Sequence, residues 1–181
     1  NITREEFAEL TVKTYEVLTG VKAEVPENKF ADTNNPEILK ATKLGLVNGV
    51  SNDRFNPEGN LTREEMAVML NNLTQVLDKD LPDMQIITMF SDTQDISHWA
   101  LESVKDMYKA GILNGVGNDK IDPKGNLSRE QALVVMSRFY NVIFELDEEI
   151  QIEDLENIFD DLSNFEHDLT EDEKELAKLV N

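Results

Sequence analysis

The chain has 181 residues, no cysteine and a formal net charge of −20, because 37 acidic residues oppose 17 lysines and arginines. This charge and the absence of a basic stripe exclude nucleic-acid binding, since a phosphate backbone repels an acidic surface. The lack of cysteine excludes disulfides and thiolate metal sites, and no apolar run approaches the roughly 20 residues of a membrane-spanning helix, so membrane insertion is not expected.

An internal repeat is the strongest signal in the sequence. Residues 45–64 align with residues 111–130 without a gap, at an offset of 66. The last part of this motif occurs a third time, because residues 1–6 match residues 60–65. Such repetition is typical of architectures in which similar units share one core.

The chain opens with a predicted helix that recurs in each copy. A hydroxyl residue is followed three positions later by Glu or Gln, which is the pattern of a capping box. The pairs are Thr3 and Glu6, Thr62 and Glu65, and Ser128 and Gln131. Mostly apolar residues then recur at helical spacing. They are Phe7, Leu10, Thr14, Val17 and Leu18; Met66, Met69, Leu73, Val76 and Leu77; and Ala132, Val135, Phe139, Val142 and Ile143.

A shorter helix is predicted before each of the two Gly-rich loops, where a glycine is expected to end it. The helical positions are Ile38, Ala41 and Leu44 before Gly45, and Ala100, Val104, Met107 and Tyr108 before Gly111. Each unit is thus a helix, a loop and a second helix. No helix can bury its apolar stripe alone, so we predict an all-α fold in which the three long helices pack around a pseudo-threefold axis.

Several motifs in order resemble the S-layer homology domain. They are an Asp-containing turn, a Trp-Ala helix start at Trp99-Ala100, Gly-Ile-Leu-Asn-Gly at 111–115, a Pro-containing loop and then Leu-Ser/Thr-Arg-Glu. The resemblance covers residues 1 to about 144 and implies a three-prong spindle of tandem repeats. It implies the second half of a repeat at 1–25 and full repeats at 28–80 and 88–144. The composition of residues 145–181 predicts an acidic helical extension after them.

The resemblance also implies a non-enzymatic, secreted module at the cell wall of a bacterium. Family members bind secondary cell-wall polysaccharides, often pyruvylated and therefore anionic, in grooves between repeats. Cell-wall polysaccharide is the implied partner, an S-layer or other surface protein is a further one, and no cofactor is implied. At the matching positions the implied ligand contacts are Arg4, Arg63, Arg129, Trp99, Asn48, Gly49, Asn114 and Gly115.

Each implied contact has a structural interpretation that the sequence leaves open. A guanidinium in the first turn of a helix can bind a carboxylate through two parallel hydrogen bonds, or it can only pair with a nearby Glu. The loop glycines can let a sugar approach the backbone, or they can only supply a positive φ. Trp99 can stack on a sugar ring or pack in the core.

Two departures from the family pattern change the implied sites. Glu5, Glu64 and Glu130 stand where the family has a small residue, which adds negative charge beside each arginine. Residues 34–37 replace the Trp-Ala start in the first full repeat. The groove of that repeat therefore lacks an aromatic wall, and we expect it to be inactive.

Neither a metal site nor catalysis is predicted. The loops are similar to calcium EF-hand loops, but Arg54 and Lys120 stand at the first ligand position, where a cation opposes calcium. The two histidines, His98 and His167, share no ligand spacing. No nucleophile, base and orienting group occur together, so the chain is not expected to be an enzyme.

From Glu145 onward the chain is strongly acidic, and two interpretations remain open. The apolar residues Ile152, Leu155, Ile158 and Phe159 predict helical structure. The segment is either an acidic linker, or residues 170–180 supply the missing first helix of the first repeat. A second functional hypothesis is a secreted interaction or assembly module whose acidic tail binds a partner or calcium.

Overall fold

The computed structural model describes residues 1–86 and 90–145, and all regular elements in this part of the chain are helical. A short 3₁₀ helix, Thr93–Asp95, precedes the fourth α-helix. The five α-helices are α1 Arg4–Thr19, α2 Pro36–Lys43, α3 Arg63–Val76, α4 Leu101–Lys109 and α5 Arg129–Glu145. The predicted all-α class is confirmed. The predicted helices beyond residue 145 lie outside the described residues.

The long helices begin where the capping boxes predict. The hydroxyl of Thr3 accepts a hydrogen bond from the backbone of Glu6, whose carboxylate accepts one from the backbone of Thr3. Thr62 and Glu65 form the same pair of hydrogen bonds at the start of α3. Ser128 and Gln131 form it at the start of α5. These contacts satisfy backbone N–H groups that the first turn of a helix leaves without intrahelical partners.

The three copies of the helix-start motif meet in a closed ring of backbone hydrogen bonds. Ile2 donates to the carbonyl of Leu127 (3.0 Å), Leu127 donates to Leu61 (2.8 Å) and Leu61 donates back to Ile2 (3.1 Å). All three side chains are buried. Each copy thus contacts the next in the same sense, which is the contact pattern of a pseudo-threefold axis. The three-prong outline of the whole domain stays a prediction.

The short helices pack across repeat boundaries. α2 lies against α1, α4 lies against α3, and α1 also contacts α3. The core contains residues of all three predicted stripes. Those that are buried are Phe7, Leu10, Thr14, Met66, Met69, Leu73, Ala132, Val135, Phe139, Val142 and Ile143. The first helix of each full repeat therefore buries its apolar face on the second helix of the preceding copy.

The predicted stops of the short helices are confirmed. Gly45 follows α2 with a φ of 79°, and Gly111 follows α4 with a φ of 73°. Residues with a Cβ rarely adopt this left-handed conformation. The chain reverses at these glycines and enters the Gly-rich loops at 45–59 and 111–125. A bilayer-spanning helix would need a longer apolar stretch than any helix within residues 1–86 and 90–145 provides.

One aspartate in each full repeat holds the far side of its Gly-rich loop. Asp32 accepts hydrogen bonds from the backbone of Phe55 and Asn56, both at 2.9 Å. Asp92 accepts the equivalent bonds from Ile121 (3.0 Å) and Asp122 (2.8 Å). Burial is the largest single influence on the pKa of Asp92 and raises it, but the backbone donors together outweigh burial and leave the pKa lowered.

Candidate ligand site at the helix starts

Arg4, in the first turn of α1, is buried against the loop of the following repeat. Its Nε donates to the carbonyl of Phe55 (3.3 Å) and its Nη2 donates to the carbonyl of Asn48 (3.1 Å). Its Nη1 forms an ion pair with Glu65 at 2.7 Å. The residue is only 7% exposed. The guanidinium therefore joins α1, α3 and the loop between them.

Arg63 repeats this arrangement one copy later. Its Nε donates to the carbonyl of Ile121 (2.8 Å) and its Nη2 donates to that of Asn114 (2.6 Å). Burial lowers the pKa of Arg63, against the opposing influence of Asp122 and Asp92. The two carbonyls that Arg63 binds lie 66 positions after the two that Arg4 binds, which is the offset between the repeats. Both arginines thus have a clear structural function, and their contact with a ligand stays a prediction.

Arg129, in the first turn of α5, is the most accessible of the three arginines. Its side chain is 35% exposed, and its Nη2 donates to the carboxylate of Glu6 in α1. Burial raises the pKa of Glu6, but the hydrogen bonds from Arg129 and from the backbone of Thr3 together outweigh burial. The pKa of Glu6 is therefore lowered. All three arginines contact a neighbouring copy, and only Arg129 also presents a third of its side chain to solvent.

The loop residues predicted from the resemblance lie beside these arginines. The carbonyls of Asn48 and Asn114 accept the bonds from Arg4 and Arg63. A Cβ added to Gly49 would lie 2.7 Å from the ring of Phe30, and one added to Gly115 would lie 2.9 Å from the ring of Phe90.

Gly49 and Gly115 do not have a positive φ, so the interpretation that they supply one is wrong. Among the described residues a positive φ occurs at other glycines, such as Gly45 and Gly111. An aromatic ring and backbone carbonyls of the same loop together leave no room for a side chain at these two positions. The structure brings Arg4 together with the first loop and Arg63 together with the second.

Trp99 lies at the surface. It occupies a turn that the backbone bond from Ala100 to Ser97 closes at 2.9 Å, and it is 59% exposed. The interpretation of this residue as part of the core is wrong. An exposed indole can offer its apolar face to a sugar ring while the rest of the turn stays solvated.

Glu64, which was predicted only to add negative charge beside Arg63, is buried. It is 3% exposed, and its carboxylate accepts hydrogen bonds from the amide and the hydroxyl of Ser97, both at 2.9 Å. Lys124 donates to the same carboxylate. The residues joined here are 33 and 60 positions apart, so no local sequence signal indicates the contact.

Each loop also exposes an apolar residue and a cation that were not predicted as ligand contacts. Val50 and Val116 occupy equivalent positions and are 56% and 46% exposed. Arg54 and Lys120, which are equally equivalent, are exposed cations of the same loops. Their equivalent positions in the two repeats could have indicated them. An exposed residue type that recurs in both copies is a candidate for contact with a partner at the surface.

The described residues, 1–86 and 90–145, contain no group of three or more His, Cys, Asp or Glu side chains that could hold a metal ion. The site consists instead of guanidinium groups, backbone carbonyls, an exposed indole and nearby carboxylates. Such a set can bind hydroxyl groups and carboxylates through hydrogen bonds and can stack on a sugar ring.

Comparisons with known proteins agree with this arrangement of repeats. The S-layer homology domain matches residues 29–67 and 90–133. The chain is 30% identical over 140 residues to an amylopullulanase of Thermoanaerobacterium thermosulfurigenes, covering 75% of this chain and 7% of that protein.

Two surface proteins are also similar. A cell surface protein of Thermoanaerobacter kivui is 33% identical over 103 residues, which cover 56% of this chain and 13% of that protein. The S-layer protein EA1 of Bacillus anthracis is 33% identical over 95 residues, 52% of this chain and 10% of that protein. The chain thus spans only a small part of each relative. It belongs to the S-layer homology family, with matched repeats at residues 29–67 and 90–133.

Proposed function

We propose that this chain anchors its protein non-covalently to the bacterial cell wall by binding an anionic, pyruvylated polysaccharide between successive repeats. Anchoring at the cell surface is the function that the family indicates, and relatives named as surface and S-layer proteins support it. The finer part, binding of a pyruvylated polymer, is our inference from the chemistry of the helix starts.

The observation that carries the finer proposal is the partly exposed side chain of Arg129 at the junction of α5 and α1. Arg4 and Arg63 are buried, at 7% and 6% exposure, whereas the side chain of Arg129 is 35% exposed beside Glu6. A pyruvyl carboxylate can accept two parallel bonds from such a group. Arg129 is therefore the arginine that we assign to the ligand. Trp99 lies in the turn of Ser97, at the junction of α3 with the next repeat, and its contact with a sugar stays a prediction.

Catalysis is not part of the proposed function of this segment. The amylopullulanase is named for an enzymatic activity, but this chain aligns with only 7% of its length. The rest of that protein lies outside the aligned segment, so its name says nothing of catalysis by the segment itself. We propose that this chain supplies attachment rather than chemistry.

A pull-down with purified, deproteinised cell wall tests the proposal. The chain is expected to be retained on wall that carries the pyruvylated polymer and lost from wall from which the polymer has been removed chemically. Equal retention on both preparations would reject binding of this polymer. A purified pyruvylated saccharide, added as a competitor, is expected to release the bound chain.

Arg129→Ala is the matching substitution. It is expected to lower wall affinity about tenfold, the effect of one lost charge-assisted contact, with at most about 1 kcal/mol lost in the free energy of unfolding. Lys22→Ala is the control, because Lys22 is 87% exposed and its loss changes the net charge equally. Equal effects of both substitutions on binding would contradict a specific contact by Arg129.

A further inference from the structure

The carboxylate of Glu64 fills a compact set of hydrogen-bond donors at the junction between α3 and the turn before α4. The amide and hydroxyl of Ser97 lie 2.9 Å from its two oxygens. The ammonium of Lys124 donates to the carboxylate and to the hydroxyl of Ser97. A backbone amide, a hydroxyl and an ammonium together are the donor types that bind a carboxylate.

The burial of Glu64 and the exposure of its partner define the geometry of this set. Only 4% of the Glu64 side chain is exposed, whereas 52% of the Lys124 side chain is. The donor set is therefore open to solvent from the side of Lys124. Trp99 follows Ser97 by two positions in the same turn and is itself 59% exposed. A carboxylated sugar that displaced the side chain of Glu64 would meet the donors and have an indole close by.

The equivalent junction at α1 lacks this donor set. Glu5 corresponds to Glu64, but the residue that corresponds to Lys124 is Glu58. The segment that would supply a counterpart of Ser97 is six residues shorter, because 15 positions separate Phe30 from Gly45 and 21 separate Phe90 from Gly111.

The start of α2 makes a different contact at the junction with α1. Asn35, the N-cap of α2, donates to Glu9 of α1, one helical turn beyond Glu5. Of the two junctions compared, at α1 and at α3, only the one at α3 has this arrangement.

Resting on the proposed function, we propose that Ser97 and Lys124 form a carboxylate-binding site that the chain's own Glu64 occupies. Glu64 thereby determines which junction takes the carboxylated sugar, since it closes this one and leaves the ligand to the junction of Arg129. Removal of the Glu64 carboxylate opens the site to a small carboxylate or to a pyruvylated sugar.

The direct test uses the full chain with Glu64→Ala and sodium acetate as the probe. Acetate at roughly 0.3 M, compared with sodium chloride at equal ionic strength, is expected to raise the melting temperature of this variant by about 3 °C. The wild type, whose site is filled, is expected to show no difference between the two salts. Glu5→Ala is the matched control and should respond like the wild type.

Two further variants make the outcome decisive. Glu64→Gln keeps the shape of the side chain in the site and should not respond to acetate, and Glu64→Ala combined with Lys124→Ala should lose the response. If Glu64→Ala folds only when acetate is present, as judged by circular dichroism, the proposal is supported. If acetate neither restores nor stabilises it relative to chloride, the proposal is overturned.

Wall binding separates this proposal from the function on which it rests. Glu64→Ala is expected to bind pyruvylated wall about tenfold more tightly than the wild type, because a second junction becomes available. An acetate response without wall binding by either protein would refute the proposed function and leave the carboxylate site standing. Wall binding by the wild type, without an acetate response in Glu64→Ala, would refute the carboxylate site alone.

Discussion

Arg63 and Arg129 occupy the same position in the repeat, but their surroundings predict opposite consequences of substitution. Arg63 is 6% exposed and donates to two backbone carbonyls. Arg63→Ala removes these donors and leaves the carbonyls of Asn114 and Ile121 without them. We expect the free energy of unfolding to fall by about 3 kcal/mol, measured by urea denaturation.

The control for this prediction is Arg54→Ala. The side chain of Arg54 is 66% exposed and lies 3.8 Å from Asp32, so its loss should change the free energy of unfolding by no more than about 0.5 kcal/mol. A urea midpoint for Arg63→Ala that matched the wild type would show that the buried guanidinium contributes nothing to the junction between repeats.

Asp92 gives a prediction about pH. Its lowered pKa means that its carboxylate stabilises the fold fully above the ordinary value of 3.8 and loses this effect as the pH falls through the lower folded-state pKa. Asp92→Asn should lower the free energy of unfolding by about 2 kcal/mol at neutral pH. The difference in the free energy of unfolding between the variant and the wild type should be constant down to about pH 5. It should become smaller below pH 3.8.

Denaturation of both proteins across this pH range measures the difference. Asp95→Asn is the control, because Asp95 is exposed in the neighbouring 3₁₀ helix and its loss should have a small effect that does not follow this pH profile. A difference for Asp92→Asn that stayed constant through acid pH would mean that the ionised carboxylate is not what holds the loop.

At the level of the helix, the capping boxes give the simplest prediction. Thr62 caps α3 through the backbone of Glu65, and Thr62→Ala should lower the free energy of unfolding by about 1 kcal/mol. Thr19→Ala, at the exposed end of α1, should change it by less than about 0.5 kcal/mol. Guanidinium chloride unfolding compares the two, and equal small effects would contradict a stabilising cap at α3.

The sequence was sufficient to predict the helices because their signals are local. A hydroxyl three positions before a Glu, apolar residues at helical spacing and a glycine at the end all act within one or two turns. The starts of α1, α3 and α5, and the stops at Gly45 and Gly111, are accordingly confirmed.

The state of the candidate site depends on contacts between distant residues and could not be predicted in the same way. The same Leu-Ser/Thr-Arg-Glu motif gives a buried arginine at Arg63 and a partly exposed one at Arg129. One of the two carbonyls that accept a bond from Arg63 belongs to Asn114, 51 positions away. Likewise, Glu64 is buried because Lys124 stands 60 positions further on, where the other loop has Glu58.

On the scale of the whole domain, packing across repeat boundaries makes the copies depend on one another. α2 lies on α1 and α4 lies on α3, while each of Arg4 and Arg63 bonds the loop of the next repeat. A repeat removed from its neighbours would expose the apolar faces of its helices and lose these bonds. The repeats that are evident in the sequence are therefore not the units that bury a core.

The net charge of −20 makes a further prediction for the whole domain on an anionic polymer. At low salt the long-range interaction is repulsive, and raising the ionic strength from about 0.01 to 0.15 M shortens the Debye length from roughly 30 to 8 Å. We expect wall affinity to rise about two- to threefold over this range, as screening removes the repulsion. Short-range contacts such as those of Arg129 are screened less.

Sedimentation of the chain with purified wall at increasing sodium chloride measures this dependence. Lys22→Glu, at a side chain that is 87% exposed, changes the net charge from −20 to −22 and should steepen the rise without touching the candidate site. An affinity that instead fell throughout the range would mean that attraction by local cations outweighs the charge of the whole domain, and that the polymer is held mainly through its carboxylates.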